Sequence, residues 1–131
     1  MKKIVTLFVL AGIASASFAQ QSLKPEEMIK IRKSGYSFMS WNMGKIKANL
    51  DGTYNKDQVI AAANVVAATA NSGMGALFGP GTEKDVGDQK TRVKPEFFMP
   101  QHQDKLKEVA TNYIKEANEL AKVAATGDAA A

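Results

Sequence analysis

Apolar positions recur at three- and four-residue intervals through three long stretches of the chain. In the first, Met28, Gly35, Tyr36, Met39, Met43, Ile46 and Leu50 share one face at about 100° per residue, with Arg32 among them. This predicts a helix over 25–50. Pro25 suits its first position, where a missing N–H costs nothing. Glu26 and Glu27 favour the positive end of the helix dipole, and Asp51-Gly52 supplies turn chemistry at the far end. The second stretch, 56–72, is rich in Ala and Val, whose small side chains allow close approach of a neighbouring helix. Asn55 and Gln58 have N-cap and capping-box character there. The third, 97–126, repeats Leu106, Val109, Tyr113, Ala117, Leu120 and Ala124, with Gly127 placed as a C′ cap.

Between the second and third stretches, residues 73–95 hold Gly73, Gly75, Gly79, Gly81 and Gly87 with Pro80 and Pro95. Connections this long inside a compact domain are usually functional or flexible. Phe78 is its large apolar residue and is expected to tuck the loop onto the bundle. The pattern as a whole predicts an all-α protein, an antiparallel up-down four-helix bundle whose fourth helix is absent or barely begun. Asp128 reads as an N-cap, with Ala129-Ala130-Ala131 as the first turn of that helix. The expectation is a chain cut at the boundary of its fourth helix. A three-helical domain with a frayed tail is the alternative.

The first nineteen residues change the picture of where the protein works. Lys2 and Lys3 precede an apolar run, Ile4 to Ile13, which is too short to span a bilayer. Ser17-Phe18-Ala19 then offers small residues to a signal peptidase. Residues 1–19 are thus expected to be a signal peptide, and residues 20–131 a bundle domain exported to the periplasm with no membrane attachment after cleavage. No cysteine occurs, so stability must come from an apolar core. The basic excess is small and two of its lysines lie in the leader. The remainder are scattered singly, which excludes a nucleic-acid footprint.

Two features of the first helix suggest binding. Arg32 lies within an apolar stripe with no acid one turn away on its own helix, and an unpaired buried charge is costly. An anionic ligand accounts for it. A second apolar face, Ile31, Phe38 and Trp41 with Ser34 and Lys45, lies opposite Tyr36 and predicts a homodimer. The lone histidine, His102, stands near the start of the third helix, where a solvated side chain is the ordinary outcome. No nucleophile–base pair, phosphate loop or metal-ligand cluster argues for an enzyme.

Four stretches together resemble the cytochrome c′ family: Lys24-Pro25-Glu26-Glu27, Ile31-Arg32-Lys33-Ser34 through Met43-Gly44-Lys45-Ile46, Phe78-Gly79-Pro80-Gly81-Thr82-Glu83, and Pro95-Glu96-Phe97-Phe98. The resemblance covers residues 24–128 and implies a four-helix bundle carrying haem c, held through a Cys-x-x-Cys-His motif on the fourth helix. It implies binding of small diatomic gases such as nitric oxide, or single-electron transfer to a partner, without enzyme activity. It places Arg32 beside a haem propionate, Lys33 at the haem edge where a polar residue is usual, and Tyr36 over the distal side of the iron. Met39 continues that stripe and Phe78 packs nearby. The attachment cysteines and the proximal histidine are missing from the sequence, so no metal ligand is assigned. Two further readings stay open: a non-covalent haem bundle using a Met and His102, and a haemless exported helical protein that binds a partner through an open groove.

Overall fold

The computed structural model describes residues 22–131, and the signal peptide expected over residues 1–19 lies outside them. Three long helices dominate: α1 (Pro25–Asp51), α2 (Lys56–Ala70) and α3 (Gln103–Thr126). Glu27 closes the start of α1 by accepting the Lys24 N–H at 2.8 Å. Asn55 caps α2 by accepting the Gln58 N–H at 3.0 Å. The Gln58 side chain does not return to that cap; it accepts from Asn49 on α1 and ties the two helices together. Gly127, at φ 72°, ends α3 in the left-handed region that glycine enters without strain.

The start of α3 differs from the sequence expectation of 97. Two short 3₁₀ turns, Pro95–Phe98 and Pro100–His102, precede it. Each proline opens a turn and cannot donate into a continuous helical ladder, so the α-helix begins only beyond Pro100. At the other end, Asp128 accepts the Ala130 N–H at 2.9 Å, as an N-cap would, and residues 129–130 form a turn.

The core lies along α2, which packs against α1 on one side and α3 on the other. Val59, Ala62 and Ala63 meet Ile46 and Ala124, while Val66 and Ala70 meet Ala117. Small side chains on α2 let both neighbours approach closely, and dense packing of this kind supplies most of the dispersion contact. The buried line of α1 differs from the apolar line read from the sequence. It runs through Ile29, Arg32, Met39, Asn42, Ile46 and Asn49, leaving Tyr36, Met43 and Leu50 exposed. Asn42 and Asn49 each donate to the carbonyl four residues earlier, Phe38 and Lys45 respectively; the Asn49 Oδ1 accepts the Asn55 N–H, whereas the buried Asn42 Oδ1 has no partner among the described residues. No helix among the described residues is long and apolar enough to cross a membrane.

Candidate functional site

The connection between α2 and α3 folds back over the N-terminal half of α1, and Arg32 is the reason. Its side chain is only 4 % exposed. One guanidinium nitrogen donates to the Leu77 carbonyl at 2.9 Å, and the other to Thr91 Oγ1 at 2.9 Å and the Thr82 carbonyl at 3.4 Å. Thr91 in turn donates to the Thr82 carbonyl at 2.9 Å. Its charge lies 4.5 Å above the Phe78 ring, a favourable cation–π arrangement. Burial lowers the Arg32 pKa from its ordinary value, opposed by Tyr36, but guanidinium basicity is high enough that the charge persists.

The partners of Arg32 are therefore neutral loop oxygens and an aromatic face. The anion expected from the sequence is not required to explain its burial. Sequence reasoning missed Leu77, Thr82 and Thr91, because contacts 45 to 59 residues away leave no periodic trace. Phe78 does hold the loop down: it stacks on Phe97 at 5.0 Å, and Phe97 meets Phe98 edge-on at 5.3 Å.

Beside this clamp lies a cleft of about 490 Å³, lined by Arg32, Lys33, Tyr36, Phe78, Thr91 and Val93 among others. Four of the five residues expected to hold a cofactor thus share one hollow. Met39 does not line it. It is buried, and its Sδ accepts a hydrogen bond from the Tyr113 hydroxyl of α3 at 2.7 Å. Burial, reinforced by Tyr36, raises the Tyr113 pKa above the ordinary phenol value. A second hollow lies across the same loop, between Val93, Phe97 and Leu106, with His102, Glu96 and Lys105 at its edge.

α1 and α3 each pack along α2, and the Tyr113–Met39 contact joins them across it. Beside the faces packed on α2, a flank of each helix is left uncovered. Tyr36, Met43 and Leu50 are exposed on α1, seven residues apart, and Val109 and Tyr113 on α3. On the outer side of α1, Ile31, Phe38 and Trp41 are also exposed, Trp41 by 59 %. Phe38 and Trp41 stack at 5.6 Å, and the Lys45 ammonium caps Trp41 at 3.9 Å.

The expectation of haem c, with iron-borne nitric oxide binding or electron transfer, does not survive this chemistry. Covalent attachment requires thiols, and the sequence contains no cysteine. Among the described residues no group of three or more His, Cys, Asp or Glu side chains could hold a metal ion. The non-covalent reading fares no better. His102 borders the second hollow, whereas Met28 packs against Gly79 at the loop and Met43, the other candidate ligand, is exposed on α1; neither lines that hollow. The haem- and iron-binding roles are therefore corrected, and the cleft is described by the residues it has.

Comparison with known proteins places these features in a family. The family model for cytochrome c′ matches residues 27–131. Cytochrome c′ of Allochromatium vinosum is 62 % identical over 120 residues, covering 92 % of this chain and 76 % of that protein. Cytochrome c′ of Rhodocyclus tenuis is 58 % identical over 109 residues, covering 82 % of this chain and 80 % of that one. Among solved structures, a cytochrome c′ described as having an unusual ligand-controlled dimer dissociation is 64 % identical with a TM-score of 0.78, covering 82 % of this chain and 80 % of its own. The cytochrome c′ of Thermochromatium tepidum is 62 % identical, also with a TM-score of 0.78, covering 82 % and 81 %. Cytochromes c′ are carriers and not catalysts, in keeping with a site that offers no nucleophile–base pair. With three helices in the order and packing of an up-down bundle, the chain belongs to the cytochrome c′ family, and it does so without the cysteines through which haem c is attached.

Proposed function

We propose that this chain is a haemless helical interaction protein working outside the cytoplasm, and that the open face between α1 and α3 receives an amphipathic helix. The observation that carries the reading is the exposed stripe of Tyr36, Met43 and Leu50 flanking the buried line of α1, with Val109 and Tyr113 exposed on α3. Exposed apolar residues are ordinary when scattered, but a row at heptad spacing beside a second apolar helix is the geometry of a bundle seam. A helix laid in such a groove buries anchors at every third and fourth position. Export rests on the leader pattern of residues 1–19 and on the family.

The probe is a synthetic amphipathic peptide of about 20 residues, long enough to be marginally helical alone. On mixing, peptide helicity by circular dichroism should rise and saturate at one peptide per chain, and Met43→Glu should remove the rise. Helicity that stays flat, or climbs without saturating, contradicts the groove.

A separate surface supports self-association. The Ile31, Phe38 and Trp41 face lies on the other side of α1, and one solved relative is described as a dimer that dissociates under ligand control. We place the dimer contact of this chain on that face. Trp41→Glu should elute as a monomer in size exclusion; an elution volume equal to that of the parent chain removes the assignment.

A further inference from the structure

The segment Lys90-Thr91-Arg92-Val93-Lys94 lies at the surface outside any helix or strand, and its last residue is extended, with Lys94 at φ −91° and ψ 154°. Its side chains alternate as in a strand. Thr91 and Val93 are half-buried, while Lys90, Arg92 and Lys94 are exposed. Its backbone alternates as well. The Thr91 and Val93 N–H groups donate to Asp85 Oδ1 at 2.9 Å and to Thr91 Oγ1 at 3.2 Å. Among the described residues, the N–H groups of Lys90, Arg92 and Lys94 have no hydrogen-bond partner. In an extended chain, alternate residues direct their N–H and C=O groups to the same side. Residues 90, 92 and 94 thus leave their N–H groups unpaired in alternation, and of their carbonyls only that of Lys94 is taken, by the Phe97 N–H at 3.0 Å.

The charge on this edge is unbalanced. Lys90 pairs with Asp85 at 3.0 Å, leaving Arg92 and Lys94 without an ion pair among the described residues. Lys33 flanks one side; on the other, Glu96 is the acid and Lys105 is already paired with Glu108. Apolar hollows open on both sides, one at Tyr36 and Phe78 and one at Phe97 and Leu106, with Val93 lining both. Unpaired edges are templates for strand addition, and a lysine-rich edge repels a second copy of itself.

We propose that residues 90–94 are a docking edge for an acidic segment of a partner protein, bound as an added strand. Carboxylates at alternate positions, about 7 Å apart along an extended chain, match Arg92 and Lys94, and apolar residues between them match the flanking hollows. The surface meets the α1–α3 groove only at Tyr36, and the proposal stands without that groove.

The test measures fluorescence anisotropy of a labelled Gly-Glu-Val-Glu-Val-Glu-Gly peptide against the full chain. Binding should weaken as salt is raised. The exposed double variant Arg92→Glu with Lys94→Glu should weaken it roughly tenfold, with unchanged far-ultraviolet dichroism. The milder pair Arg92→Gln with Lys94→Gln should fall between the two. A peptide of the same composition with its glutamates clustered, and one N-methylated along its pairing edge, should both bind markedly less. Equal binding by either control overturns strand addition. Binding to phosphatidylglycerol vesicles but not to the peptide also overturns the proposal and assigns the edge to a membrane surface.

Discussion

Two regions of this molecule are held together by different physics. The seam of α2 with α1 and α3 is a contact of small apolar side chains, Ala62, Ala63, Val66 and Ala117 among them. The loop between α2 and α3 has no fully buried apolar residue. It is fixed by hydrogen bonds that converge on Arg32, Thr82 and Thr91. Burial is non-directional and tolerates local adjustment, whereas a buried guanidinium needs each acceptor in place. The seam should therefore fail as a whole and the loop should fail locally.

The largest effect should come from the seam. Ile46→Ala empties space against Val59, Ala62, Ala63 and Ala124, and should cost about 3 kcal/mol. Denaturant unfolding should show that loss as one transition shared by every probe, with the loop surviving until the helices melt. Next is Arg32→Met, which keeps volume but strands the Leu77 and Thr82 carbonyls and the Thr91 hydroxyl. It should cost about 2 kcal/mol. Hydrogen exchange should accelerate in residues 77–93 far more than in α2; equal acceleration in both would erase the distinction between the regions.

The smallest effect concerns pH. Asp85 is held below the ordinary carboxylate range, chiefly by the Thr91 N–H and then by Lys90. Because its folded pKa lies below its unfolded one, its contribution is complete above the usual value of 3.8 and disappears as pH falls through the folded value. The Thr91 amide resonance should move in that acidic window while α2 resonances stay fixed. Asp85→Asn should abolish the movement.

The sequence made the two regions unequally readable. Helical periodicity located α1 and α2, and Asn55 and Gly127 marked ends that the structure shows. The buried line of α1 differs from the apolar stripe because Asn42 and Asn49 read as polar, yet each donates its amide N–H to its own helix, and Asn49 also bonds to Asn55 and Gln58 beyond it. Arg32 was visible as an anomaly, but its explanation lay in loop oxygens remote in sequence. The stripe of Tyr36, Met43 and Leu50 was legible as apolar; that it stays uncovered required the packing. The haem role inferred from resemblance failed on the chemistry of the chain itself, which supplies no thiol.

The central claim, that the face between α1 and α3 receives a helix, is most directly tested by methyl NMR of the full chain titrated with the amphipathic peptide. Saturable shifts at Met43, Leu50 and Val109, with Val93 on the loop edge unmoved, are the expected result. Shifts confined to Val93, or none at all, would contradict it.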